Sequence, residues 1–133
     1  MHPLVTLDDI IVVIVDDDDD IRFSLTKFLC GRGARVIPCS NADEALEAVR
    51  VHHPDIVLSD IGLPNRDGFQ LLQEIRSLDV ELGRDIPVIA MTAFDWSGQR
   101  AQSLWGGFQA RLEKPFKPDQ LLSAVASTLD DRH

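Results

Sequence analysis

The sequence predicts an α/β protein built as a doubly wound, five-stranded parallel sheet with helices on both faces. Three observations carry that prediction. Five short apolar segments alternate with stretches in which apolar residues recur at helical spacing, the pattern of strand, crossover helix and strand. The first, third and fourth of these segments contain the near-continuous apolar runs Ile10 to Val15, Ile56 to Leu58 and Pro87 to Met91, as strands buried on both faces require. Ionisable or hydroxyl side chains directly follow four of the five segments, at the carboxyl ends where ligands collect in such sheets.

Residues 1–9, with Pro3 and mixed polarity, read as a loose lead-in. Ile10 to Val15 is the first strand. The five aspartates Asp16 to Asp20 follow, and then Ile21, Leu25, Phe28 and Leu29 mark a helix that Gly31 and Gly33 end. Ala34 to Pro38 is a second strand. Ser40 or Asn41 caps the next helix, which turns Ala45, Leu46 and Val49 inward and closes at His52-His53-Pro54. The third strand, Asp55 to Asp60, delivers one carboxylate to its end. The turn-rich stretch Ile61-Gly62-Leu63-Pro64-Asn65-Arg66-Asp67-Gly68 stops it and launches a helix to about Ser77, burying Phe69, Leu72 and Ile75. A polar connection, Asp79 to Asp85, leads into the fourth strand, Pro87 to Met91, which ends at Thr92. Trp96 to Trp105 reads as a weak helix because it contains Gly98 and ends at Gly106-Gly107. Phe108 to Leu112 is the fifth strand. A last helix, Pro118 to Leu129, turns Leu121, Leu122 and Val125 inward. The flavodoxin-like strand order 2-1-3-4-5 is the common five-stranded arrangement of this alternation.

With 133 residues and 44% hydrophobic content, the chain fits one domain, expected over residues 10–129. Residues 130–133 remain as a tail, with no output domain expected. A net charge of -9 argues against a nucleic-acid surface, which needs clustered Lys and Arg, and favours a protein or cationic partner. Cys30 and Cys39 lack metal-ligand spacing and read as small core residues in a reducing compartment. No apolar run approaches the roughly 18 residues of a membrane span, and no signal-peptide pattern opens the chain. No membrane association and a cytoplasmic location are therefore expected.

In the order 2-1-3-4-5 the second strand lies on an edge, so Asp16 and Asp17, Asp60, Thr92 and Lys114 converge from contiguous strands on one crevice. Three carboxylates there repel: two like charges about 4 Å apart cost on the order of 4 kcal/mol at an effective dielectric near 20. A divalent cation relieves this. Oxygen ligands without His or Cys favour a hard ion, Mg²⁺ with Mn²⁺ as a substitute, which keeps waters and takes a phosphate oxygen. Phosphoryl transfer needs a nucleophile, a metal and donors for the remaining charge, the roles open to Asp60, the ion, Lys114 and Thr92. The aspartate run is no EF-hand, because its sixth position is Ile21 and its twelfth Lys27. Asp18 to Asp20 read instead as an acidic helix N-terminus, and His52 and His53 as loop residues at the opposite end of the sheet.

Val15-Asp16-Asp17, the Asp60 strand with Pro64 and Asp67-Gly68, Met91-Thr92-Ala93 and Lys114-Pro115-Phe116 together resemble the receiver domain of two-component response regulators over nearly the whole chain, about Ile10 to Leu129. The resemblance implies that Asp60 accepts a phosphoryl group from the phosphohistidine of a histidine kinase or histidine phosphotransfer protein. It implies Mg²⁺ held by Asp17, Asp60 and the Gly62 carbonyl, with Asp16 acting largely through water. It further implies that Thr92 and Lys114 bind the phosphoryl oxygens, that the Lys114-Pro115 peptide is cis, and that phosphorylation changes a face read by a downstream protein. A phosphorylation-dependent homodimer is left open. The family often carries Tyr or Phe three residues before the lysine, where this chain has Arg111, so the usual aromatic switch is altered. Candidate output residues are Arg111, Trp105 and Phe116. Phe94 and Gly62 flank the approach of water to Asp60, while Trp96 and Trp105 read equally as packing or docking residues. A signalling switch is the expected function, not a turnover enzyme. The competing readings are a phosphorylation-independent interaction module with a relict acidic site and a metal-dependent aspartyl-phosphate phosphatase. The latter lacks a second acid two residues after Asp60, where Gly62 stands.

Overall fold

The computed structural model describes residues 6–93 and 106–130. In chain order these form β1 (Ile11–Val15), α1 (Asp19–Cys30), β2 (Arg35–Cys39), α2 (Ala42–His52), β3 (Ile56–Asp60) and α3 (Gly68–Arg76). A single 3-10 turn (Val80–Leu82) precedes β4 (Val88–Thr92), and β5 (Ala110–Glu113) precedes α4 (Pro118–Asp130). The strands are all parallel, in the order β2-β1-β3-β4-β5. The weak helix expected over Trp96 to Trp105 lies outside the described residues, as do Phe94, the first half of the lead-in and the last three residues of the tail.

Successive residues of a strand face opposite sides of the sheet, and this divides the core in two. Val12 and Ile14 of β1, Ile56 and Leu58 of β3, and Ile89 and Met91 of β4 pack against Leu25 and Leu29 of α1 and Leu121 and Val125 of α4. Val13, Val15, Val57 and Val88 face the other way, against Ala45 and Val49 of α2 and Leu71, Leu72 and Ile75 of α3. Both β3 and β4 are buried along their whole length, which explains their unbroken apolar sequence.

Helix ends follow side-chain chemistry. Asp18 caps α1 by accepting the N–H groups of Asp20 and Ile21 at 2.9 and 3.1 Å. Asn41, of the two candidates, caps α2 by accepting Glu44 N–H. Asp67 and Gln70 form a reciprocal capping box on α3. His53 closes α2 in the left-handed conformation at φ 48°. At the far end of the sheet the half-buried Arg76 donates to the carbonyls of Arg84, Ile86 and Gly107 and to Gln109 Oε1, tying α3 to the segments entering β4 and β5.

Three expectations are corrected. Cys39 is buried, but Cys30 is exposed because it follows the core-facing Leu29 on the last turn of α1, one position off the apolar stripe. Leu7, within the supposed loose lead-in, is only 3% exposed, and its N–H donates to Arg32 O at 2.7 Å. The fifth strand begins at Ala110, two residues later than expected, since Phe108 packs edge-on against Phe69 with ring centroids 5.8 Å apart.

Candidate functional site

Strand register sets the height of each polar group. Val15 is level with Ser59, so Asp16 stands level with Asp60 one residue on; Asp60 is level with Met91, and Thr92 with Glu113. Thr92 is therefore one residue above Asp60, and Lys114 two. At about 3.3 Å per residue, a lysine two steps up has the length to reach back down to the carboxylates. It does so: Lys114 Nζ lies 2.8 Å from Asp16 Oδ2 and 3.3 Å from Asp60 Oδ1. The Lys114-Pro115 peptide is cis, and Lys114 N–H donates to Thr92 O at 2.7 Å.

Asp16, Asp17 and Asp60 each offer a carboxylate oxygen within 4.8 Å of the others. Opposed ligands of an octahedral Mg²⁺ stand about 4.2 Å apart, so this all-oxygen donor set fits such an ion with little adjustment. Burial differs among the three. Asp16 is fully buried, Asp60 is 8% exposed and Asp17 faces solvent.

Asp16 is held on every side. Its N–H donates to Cys39 O at 3.1 Å and its Oδ1 accepts the Asp18 N–H at 2.9 Å. Its carbonyl accepts Arg22 Nη1 at 2.7 Å, and its second carboxylate oxygen takes Lys114. Burial pushes the Asp60 carboxyl above its ordinary range and the Asp16 charge adds to this, while Lys114 and the Gly62 N–H pull it back only in part. For Lys114, burial works against the ammonium, but hydrogen bonds and charge from Asp16 and Asp60 outweigh it and hold the pKa above its ordinary value. The crevice thus contains a basic carboxylate beside a firmly charged ammonium.

Asp16, Asp17, Asp60, Thr92, Lys114 and Gly62, singled out from the sequence, come together in this crevice. Thr92 is 2% exposed at the end of β4, and the Gly62 backbone lies against the Asp60 carboxylate. Arg111 stands apart on β5 with an exposed side chain, and Phe116 is half-buried against the core between the sheet, α1 and α4. Trp105 and Phe94 lie outside the described residues. His52 and His53 are exposed at the end of α2, away from the crevice. Three contributors escaped sequence reasoning: the Gly62 amide, Ser59, whose buried hydroxyl donates to Asp60 O at 3.1 Å, and Arg22. Only Arg22 left a signal, as a cation near the N-terminus of a helix.

Among the described residues no helix is long and apolar enough to cross a membrane. Curated relatives include the response regulator Rre1 of Synechocystis sp., 38% identical over 110 residues that make up 82% of this chain and 47% of that protein. The chain thus spans about half of Rre1. The polar-differentiation response regulator DivK of Brucella ovis is 37% identical over 74% of this chain and 79% of its own length. Among solved structures, a CheY-like response regulator receiver domain protein from Methanospirillum hungatei superposes with a TM-score of 0.82 at 26% identity, covering 92% of this chain and 95% of that one. The receiver domain of a sensor histidine kinase from Pseudomonas aeruginosa, described with a magnesium ion coordinated in its active-site cleft, gives 0.80 at 29% identity, covering 90% and 97%. The family model for the response regulator receiver domain matches residues 12–126. Since that span runs from β1 into α4 and includes every residue of the crevice, the chain belongs to the response regulator receiver domain family.

Proposed function

We propose that this chain is a phosphoacceptor switch of two-component or phosphorelay signalling, with Asp60 taking a phosphoryl group from a phosphohistidine. The observation that carries this reading is the Asp60 carboxylate at the end of β3, level with Asp16 and 3.3 Å from Lys114 Nζ. An Asp60 oxygen attacks phosphorus; the new bond is O–P, the P–N bond breaks, and its electron pair stays on the imidazole nitrogen of the donor. The raised basicity of Asp60 favours its carboxylate as a nucleophile.

Asp17, Asp60 and the Gly62 carbonyl, with Asp16 through water, would hold Mg²⁺, which when bound neutralises charge on the phosphoryl oxygens. Lys114 swings from Asp16 to ion-pair with the phosphoryl group, and the Thr92 hydroxyl donates to another of its oxygens. Each of these contacts exists only with the phosphoryl group present, so they favour one of two conformations by their own interaction energy. The readout is a protein-binding face that includes Arg111 on β5 and Phe116. The donor is a histidine kinase or histidine phosphotransfer protein, and the chain turns over no substrate beyond loss of its own phosphate.

Labelling with acetyl phosphate and Mg²⁺, followed by intact mass, tests this on the wild type and on Asp60→Asn. One added phosphate, absent from the variant and without Mg²⁺, is expected. No adduct under any condition, together with no binding of beryllofluoride, would overturn the reading in favour of an interaction module with a relict site.

A further inference from the structure

Arg22 stands four residues past the Asp18 cap, near the N-terminus of α1, where the helix dipole disfavours a cation. Its side chain nevertheless turns back toward that end. Nη1 donates to the Asp16 carbonyl at 2.7 Å, and Nη2 pairs with the Asp19 carboxylate. The side chain is 20% exposed, which places most of its length against the protein.

The Asp16 carbonyl belongs to the peptide that joins the buried Asp16 to the exposed Asp17. Fixing that peptide plane fixes the N and Cα of Asp17, so that only its own φ and side-chain torsions remain to set where the carboxylate goes. Without such a tie, five consecutive aspartates would repel one another into a more open loop. Asp16 has anchors on its N–H and on both carboxylate oxygens. Arg22 supplies the anchor on the carbonyl, the atom nearest Asp17. On the reading that this crevice holds a divalent ion, we infer that Arg22 is a positioning residue for it, aiming Asp17 by clamping the Asp16–Asp17 peptide.

The alternative is that Arg22 only screens the aspartate run. The two roles predict opposite signs. If the guanidinium only screens, its removal makes the crevice more negative and Mg²⁺ binds more tightly. If it positions Asp17, its removal loosens a ligand, and the loss of an outer-shell partner typically costs about 10- to 100-fold in metal affinity.

The test is calorimetric titration of the full chain with Mg²⁺ alone, for the wild type, Arg22→Met and Arg22→Lys, with the thermal midpoint of each in EDTA. A dissociation constant raised about tenfold or more in Arg22→Met, and raised less in Arg22→Lys, is expected. A constant that is unchanged or lower in Arg22→Met overturns the assignment. If the Met variant does not fold, Arg22→Lys decides alone. It keeps the charge but loses the planar fork, so weakened binding supports positioning and wild-type binding refutes it. A wild type that gives no Mg²⁺ isotherm overturns both this inference and the ion-dependent reading beneath it, whereas a normal wild-type isotherm with a tighter Met variant removes Arg22 alone.

Discussion

Lys114 Nζ lies closer to Asp16 than to Asp60, at 2.8 against 3.3 Å, although 98 residues separate Lys114 from Asp16 in the chain. The ammonium therefore pairs more closely with Asp16 than with Asp60. Lys114→Met leaves the Asp16 carboxylate, 1% exposed, with no cation among its present partners. Losing one member of a buried pair costs about 3–5 kcal/mol, and the partial exposure of Lys114 reduces this to roughly 2–3 kcal/mol. Urea unfolding in EDTA measures that loss. In saturating Mg²⁺ the gap to the wild type narrows, because the ion compensates the same carboxylates; a gap that Mg²⁺ leaves unchanged would sink the argument.

Asp60 makes the opposite contribution. Burial and the neighbouring Asp16 charge raise its pKa above the ordinary 3.8, so the folded, metal-free chain binds this proton more tightly than the unfolded chain. Its contribution to stability is fully present below pH 3.8 and is lost as pH rises through the raised value, leaving a deficit at neutral pH. Asp60→Asn removes the deficit. In EDTA at pH 7 the variant is expected to be more stable than the wild type by roughly 0.5–2 kcal/mol, the usual size of a stability cost at a functional site. The advantage shrinks as pH falls toward 4. A wild type more stable than Asp60→Asn at pH 7 without metal would contradict this.

The two cysteines differ in kind. Cys30 is exposed, whereas burial, with some help from the Glu44 charge and against that of Arg22, pushes the Cys39 thiol up to about 11 from an ordinary 9.0. Iodoacetamide is expected to modify one thiol of the native chain, Cys30, and to reach Cys39 only in denaturant. Between pH 9 and 11 the unfolded chain loses the Cys39 proton and the folded chain keeps it, so stability falls as pH rises through that window by about 1–3 kcal/mol. Cys39→Ala is expected to flatten that slope, as urea midpoints at pH 8 and 10.5 would register.

The carboxyl ends of the buried strands were legible because a polar side chain there is costly to bury without a partner or a task, as with Asp16 after Val15, Asp60 two residues after Leu58 and Thr92 after Met91. Strand alternation then supplied the order that brings them together. What escaped was decided by contacts between a side chain and another element's backbone. Arg22 on the Asp16 carbonyl and Leu7 N–H on Arg32 O leave no periodic trace in the chain. Cys30 was misplaced by phase, since one step along a helix rotates a residue by about 100° and carries it off the buried stripe. Phe108 reads as the start of β5 by composition, yet its ring packs against Phe69 before the strand begins.

Gly62 and Gly68 bracket the loop that follows Asp60, and they respond differently to a side chain. A Cβ at Gly68, the buried first residue of α3, would stand 2.6 Å from Asp60 O and 2.9 Å from Ile61 Cα. These are backbone atoms of Asp60 and its neighbour, so the helix must retreat from the strand end or the strand end must shift. Gly68→Ala is expected to cost about 1–3 kcal/mol, as overpacking does, and to slow labelling of Asp60 by acetyl phosphate. A Cβ at Gly62 meets nothing within 4 Å, and Gly62 has no left-handed φ that would strain an L side chain. Gly62→Ala is expected to leave stability within about 0.5 kcal/mol. Its effect is expected instead on the lifetime of the proposed Asp60 phosphate, because the exposed Gly62 lies against that carboxylate. Paired urea unfolding and dephosphorylation rates separate the two positions. Equal destabilisation by both substitutions would mean that the close packing of Gly68 against the Asp60 carbonyl does not set the position of Asp60.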